Sequence, residues 1–247
     1  MVVGRGPTDS FQNSTSKNEF KIKILLASLV VASISLKLVL WKKFAPLRIN
    51  DLYFYEGIAR AFLNHDWGHF WHFHYYPLYP IFIALTHKLT GLEPINCAFL
   101  LNIIFSSAST VFIYLIGREI FGKRSGIFAS IFWAFSWLNS GVMTEAEPVY
   151  LFFVLWGFYL LSKSGLSFKQ YLWAISIAGI SYLIKSEVML FAVIFSLIYF
   201  LRSQEQALKK MGFVLAGGVI FLIFSSPIWL SYYHYTCLLY TSDAADE

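Results

Sequence analysis

Asp51 is the side chain in this sequence best placed to do chemistry. It stands just past the first long apolar stretch, in Arg48-Ile49-Asn50-Asp51-Leu52-Tyr53-Phe54-Tyr55-Glu56. A carboxylate at a water–membrane boundary can serve as a general base towards a hydroxyl or an amine. The same group at the start of a helix would cap it and favour its positive end, and the residue pattern weighs both roles evenly. The run Tyr75-Tyr76-Pro77-Leu78-Tyr79-Pro80 follows. Its prolines stiffen the backbone and its tyrosines favour the interfacial belt, so it serves as an anchor or as one wall of a substrate cavity. In Thr144-Glu145-Ala146-Glu147-Pro148, Pro148 suits a first helical turn and Glu147 the positive helix end. Capping explains that placement, and the two carboxylates also suit a divalent metal or a sugar hydroxyl. In Tyr182-Leu183-Ile184-Lys185-Ser186-Glu187, Lys185 is a point-charge partner for phosphate, or a snorkelling lysine satisfied by Glu187. His65, His69, His72 and His74 with Asp66 match no compact zinc spacing, and no metal is assigned to them.

The elements that must hold these residues are membrane helices. The chain is 57% hydrophobic, 19% aromatic and 13% charged, with a mean hydropathy of +0.60. Soluble domains sit near about 45–50% apolar and about 25% charged, so a soluble fold is excluded. The net charge of +5 is then an orientation signal and not a nucleic-acid footprint. Cys97 and Cys237 form neither a disulfide framework nor a metal motif. Apolar stretches at Ile22–Trp41, Ile95–Ile116, Gly126–Asn139, Pro148–Leu161, Tyr171–Ile184, Val188–Leu201 and Phe213–Leu230 predict seven crossings. The first is expected to be a retained anchor behind a polar tail, residues 1–21, and not a cleaved signal. Asp51–Leu63 has Tyr55, Ile58, Ala59 and Phe62 at helical spacing and predicts an amphipathic helix.

Leu78–Leu89 is twelve residues long, too short to cross comfortably. Charge decides its placement. If it stays on one side, Arg5, Lys17, Lys21, Lys23, Arg118, Lys123, Arg124, Lys163, Lys169, Arg202, Lys209 and Lys210 all face the cytoplasm, against Lys185 alone in the short outer loops. The positive-inside rule therefore predicts a cytoplasmic N-terminus and a juxtamembrane segment within the long outer loop, residues 42–94. Asp51, Glu145, Glu147, Lys185 and Glu187 then share the non-cytoplasmic face. Residues 237–247, Cys-Leu-Leu-Tyr-Thr-Ser-Asp-Ala-Ala-Asp-Glu, resemble the translation of a sequencing adapter, and the native sequence is expected to continue past Thr236.

Taken in order, these motifs resemble the GT-C superfamily of polytopic glycosyltransferases, over roughly Ile22 to Thr236. The branch most similar is the bacterial relatives of protein O-mannosyltransferases, including the aminoarabinose and galacturonosyl transferases that modify lipid A. The residues carrying the resemblance are Asp51 with Tyr53 and Tyr55, Tyr76–Pro80, Gly117–Gly122, Glu147-Pro148 and Tyr182–Glu187. Two departures are Leu52, where many members carry a second acid, and Lys185-Ser186, where Arg-Pro is more usual.

The resemblance implies an all-α bundle in the inner or plasma membrane, with its site on the outer or periplasmic face. It implies a polyprenyl-phosphate sugar donor, a lipid, glycan or protein acceptor, and inversion at the anomeric carbon. Asp51 would be the base and Lys185 a donor-phosphate contact, with Tyr53, Tyr55, Tyr76, Tyr79, Glu145, Glu147 and Glu187 lining the substrate site. No cofactor is assigned, and a divalent metal stays open. No Walker loop, dinucleotide fingerprint or nucleophile elbow occurs, so the donor is expected to arrive through the lipid phase. A transporter or lipid flippase, or a subunit that kept the fold and lost the site, are the alternatives.

Overall fold

Hydrocarbon offers a peptide group no hydrogen-bond partner, so apolar runs of this length take the conformation that pairs the backbone with itself. The computed structural model describes residues 7–44, 50–71, 75–136 and 145–243, with side chains over 19–43, 51–71, 75–136 and 145–230. Arg48, His72, His74, Thr144 and Asn139 lie outside the described residues. The described residues form helices joined by short turns, with no strand: α1 Pro7–Phe44, α2 Asn50–Leu63, α3 Trp67–Phe70, α4 Leu78–Thr90, α5 Pro94–Phe121, α6 Lys123–Phe135, α7 Glu147–Ser162, α8 Phe168–Tyr182, α9 Val188–Arg202 and α10 Ala207–Asp243. This is the all-helical membrane bundle that the composition requires.

Each of the seven predicted spans overlaps a helix, α1 and α5 to α10, and residues 137–139 of the third lie outside the described residues. Among the described residues, three stretches, Glu19–Lys43, Pro94–Phe121 and Ala207–Leu230, are long and apolar enough to cross a bilayer unaided. Helices α6 to α9 have 13, 16, 15 and 15 residues. At about 1.5 Å per residue they reach roughly 20–24 Å, short of the ~30 Å hydrocarbon core. They can cross only with their flanking segments or through a thinned bilayer. α1 begins inside the polar tail, and α10 runs on to Asp243, so helical backbone marks no boundary at residue 21 or 236.

Local sequence sets the helix ends. Pro94 opens α5 and Pro148 sits in the first turn of α7, where a missing N–H costs nothing. Ser167 and Gln170 form a reciprocal capping box at the start of α8. α5 and α6 make a hairpin around Gly122, whose φ of 90° a side chain would strain. Arg118 closes the last turn of α5, so the Gly117–Gly122 motif is the end of a helix plus its turn. The hairpin is tight because Gly117 and Gly126 face one another. A Cβ on Gly126 would lie 2.7 Å from the Tyr114 carbonyl oxygen, and one on Gly117 would lie 2.9 Å from Gly126 Cα. Small residues let helix backbones approach in this way.

α1 docks on this hairpin through polar groups. Lys37, fully buried, donates from Nζ to Ser106 Oγ at 2.9 Å and Ser107 Oγ at 3.4 Å. Ser107 donates to Ser33 at 3.1 Å, and Ser33 to the Ala134 carbonyl at 3.1 Å. Two apolar cores flank the bundle. One joins α2, α4, the first half of α5 and the start of α7 around Leu52, Tyr79 and Ile103. The other joins α7 to α10 around Tyr171, Phe195 and Tyr199, and Tyr150 packs on both. On α2, Tyr55, Ile58 and Ala59 of the predicted face are buried and Phe62 is half-buried, and Leu52 is buried as well.

Gly126→Ala should lower thermal stability in detergent by about 1–3 kcal/mol, because the added methyl meets backbone and not a movable side chain. Gly57→Ala, where a Cβ meets nothing within 4 Å, should be neutral or stabilising. Unfolding curves of the two variants check the contrast.

Candidate functional site

One end of the bundle gathers the polar residues that the sequence sets apart. α2 begins with Asp51 in its first turn, which places the carboxylate by the positive end of the helix. Tyr75 reaches across and donates its hydroxyl to Asp51 Oδ1 at 3.1 Å. The Tyr75 ring stacks on Phe54 with centroids 4.9 Å apart and meets the edge of Tyr55 at 5.1 Å. Burial, and then the bond to Asp51, hold the Tyr75 phenol above its ordinary pKa. Tyr55 lies one turn along from Asp51 and packs edge-on against Tyr79 at 5.0 Å. Its phenol is raised by burial first, and then by the charges of Glu147, Asp51, Tyr75 and Glu145.

α7 supplies the opposite wall. Glu147 is its first residue, and Lys185, in the turn between α8 and α9, donates to Glu147 Oε1. Glu187 stands 3.8 Å from the same ammonium. Burial works against the charged Lys185, but Glu147 foremost, then Glu187 and Glu145, outweigh it and hold its proton more tightly than in a free lysine. The second Glu147 oxygen, Oε2, is buried and takes no hydrogen bond among the described residues. Glu145 lies beside the Glu147 carboxylate. That carboxyl–carboxylate contact, with burial, holds Glu145 above the usual carboxylate range, while Lys185 pulls it back and Asp51 pushes it further. Leu52, Ala146 and Ile184, the neighbours of Asp51, of Glu145 and Glu147, and of Lys185, share one buried cluster, which places these groups at one end of the bundle.

The aromatic-proline run is fastened to this wall by main chain. The Leu78 N–H at the start of α4 donates to the Leu183 carbonyl at 2.9 Å, and Tyr76 lays its ring edge on Tyr182 at 5.4 Å. Tyr79 turns inward, wholly buried, and donates its hydroxyl to Asn102 Oδ1 at 3.1 Å. The Asn102 amide donates in turn to the Glu145 carbonyl at 2.8 Å.

The structure brings together Asp51, Tyr55, Glu145, Glu147, Lys185 and Glu187, with Tyr76 beside them. Tyr79 packs beneath, sealed from any ligand. Tyr53 projects from the other side of α2 and is half exposed. Two contributors escape the sequence: Tyr75, the bonded partner of Asp51, and Asn102. Tyr75 at least lies inside the singled-out run. Asn102 is an amide in an apolar span, and that oddity was its only signal.

The outer-loop histidines have a local account. Asp66 Oδ1 accepts from the His69 N–H at 3.3 Å and Oδ2 pairs with His69 Nδ1 at 2.7 Å, so Asp66 caps the short α3. The His69 contact holds the Asp66 carboxyl below its ordinary range. Among the described residues, no three His, Cys, Asp or Glu side chains are grouped to hold a metal ion.

Aromatic wall, helix-end acid and lysine-bearing turn recur in one order along the chain, and comparison with known families bears on that order. The profile of dolichyl-phosphate-mannose-protein mannosyltransferases matches residues 75–230. The chain belongs to this family. It is thus a membrane glycosyltransferase of the GT-C type by descent. No curated protein and no solved structure matches it. Tyr76, Tyr79, Glu145, Glu147, Lys185 and Glu187 fall within the matched residues, whereas Asp51, Tyr53 and Tyr55 precede them.

Removing one member of a half-buried ion pair strands the other. Lys185→Met should cost about 2 kcal/mol of stability, and Lys185→Met with Glu147→Gln should recover most of it. Thermal unfolding of the two single variants and the double measures the coupling.

Proposed function

We propose that the protein moves a sugar from a polyprenyl-phosphate donor to a lipid, glycan or protein acceptor, on the non-cytoplasmic face of the plasma membrane. The observation that carries this reading is the gathering of Asp51 and the Glu147–Lys185 pair around one buried cluster at one end of a mannosyltransferase-family bundle. Asp51 is the base. Tyr75 bonds one of its oxygens, Oδ1, and Oδ2 is the oxygen we assign to the acceptor hydroxyl. The acceptor oxygen bonds to the anomeric carbon as the bond from that carbon to the phosphate oxygen breaks. The bonding pair leaves with the polyprenyl phosphate, and the acceptor proton passes to Asp51.

Lys185 meets the departing phosphate. Its ammonium has three N–H groups, so the bond to Glu147 leaves others for an anion. A cation held at the point where negative charge develops stabilises the transition state more than the ground state. Arg60 cannot take that part without breaking two ion pairs of its own, to Glu56 and Glu93, each at 2.8 Å. Tyr55, Tyr76, Glu145 and Glu187 border the sugar. The sidedness follows from the basic residues of the α5–α6, α7–α8 and α9–α10 turns, which the positive-inside rule sends to the cytoplasm.

Membranes carrying the protein should release polyprenyl phosphate from polyprenyl-phosphate-linked mannose in the presence of acceptor extract. Asp51→Asn should slow that release by about 100-fold or more at unchanged expression. Parent-like release by the variant removes the base assignment, and transfer from a nucleotide sugar alone removes the donor. For sidedness, Leu92→Cys, at a position 40% exposed, should react in intact cells with an impermeant maleimide. Reaction only after permeabilisation would reverse the orientation.

A further inference from the structure

We propose that Asn102 is a positioning residue for the acid wall: its buried amide clasps the Glu145 carbonyl on one side and the Tyr79 hydroxyl on the other, and so sets where Glu145 and Glu147 stand against Asp51. This rests on the glycosyl-transfer reading of the site. Asn102 lies two turns into α5, inside a stretch long and apolar enough to cross a bilayer, and it is wholly buried. A primary amide in that setting is costly unless both its ends are used. Both are used. Oδ1 accepts from Tyr79 at 3.1 Å and Nδ2 donates to Glu145 O at 2.8 Å. The orientation of the amide is settled by chemistry, because a main-chain carbonyl only accepts.

The bond to Glu145 supplies what the local backbone lacks. Ala146 caps α7 without a side-chain hydrogen bond, and its own carbonyl takes the N–H groups of Val149 and Tyr150. The Glu145 carbonyl lies one residue outside that ladder, and the donor it receives comes from Asn102. The reach of the clasp is wide. Tyr79 carries the other arm to Tyr55, whose ring it meets edge-on, and Tyr55 stands one turn from Asp51 on α2. One amide therefore registers α4 and the entry to α7 on α5, and through them the two sides of the site. A leucine would fill the same volume in the apolar core and hold neither arm.

The test compares Asn102→Leu with Asn102→Ser, whose hydroxyl is too short for either arm and bonds its own helix. Two readouts are taken on monodisperse protein in native-like membranes. The first is transfer from polyprenyl-phosphate-linked mannose. kcat should fall by on the order of tenfold to 100-fold, with the donor KM changed by less than about threefold. The second is carbodiimide labelling of Glu145, mapped by mass spectrometry across pH. With Glu145 released from Glu147, its labelling midpoint should fall towards that of an ordinary carboxylate. A variant that folds and keeps the parent midpoint and kcat overturns the proposal. Failure of both variants to fold also overturns it, by assigning Asn102 to stability alone. If the parent transfers nothing, the glycosyl-transfer reading falls, and the labelling midpoint still decides whether Asn102 places Glu145.

Discussion

A hydrocarbon surrounding supplies no partner to a polar group, and every arrangement in this bundle answers to that. The backbone answers by coiling. Side chains answer by pairing across helices: Lys37 with the serines of α5, Asn102 with Tyr79 and Glu145, Lys185 with Glu147. The two answers differ in kind. Lys37 meets only hydroxyls, which can turn back to their own helix, as Ser106 does to the Ile103 carbonyl at 3.3 Å. Lys185 meets a carboxylate, and neither of those groups has a second choice as good.

The acids outnumber the cations at the gathered end. Asp51, Glu145, Glu147 and Glu187 stand against Lys185, and the contact with Glu147, with burial, raises the affinity of Glu145 for its proton. A surplus of carboxylates would repel a bare anion. It suits a hydroxyl-rich guest, whose O–H groups they can accept, with the lysine reserved for the phosphate end. Tyr55 in the middle is held protonated by burial and by the surrounding acids, so it adds no further charge.

Much of this was legible in the residues. The period of Asp51–Leu63 predicts both α2 and the face it buries, and Pro148 predicts the opening of α7. What periodicity cannot convey is who meets whom. Tyr75 bonds Asp51 across 24 positions and Asn102 bonds Glu145 across 43. Lys185 shows the same limit: its neighbour in sequence, Glu187, was the evident partner, yet Glu147, 38 positions away, takes the bond. Tyr53 and Tyr55 read alike as motif tyrosines. Two residues of helix turn them roughly 200° apart, so that one joins the site and the other does not.

The joint between Leu78 and Leu183 has an evolutionary corollary. Because it is made by peptide groups, no exchange of side chains on either strand of the joint can remove it, short of a proline at 78. The segment from Tyr182 to Glu187 is thereby a fixed mount with an interchangeable head. A lineage can trade arginine for lysine at 185, or proline for serine at 186, and retune its grip on an anion while the mount keeps its register.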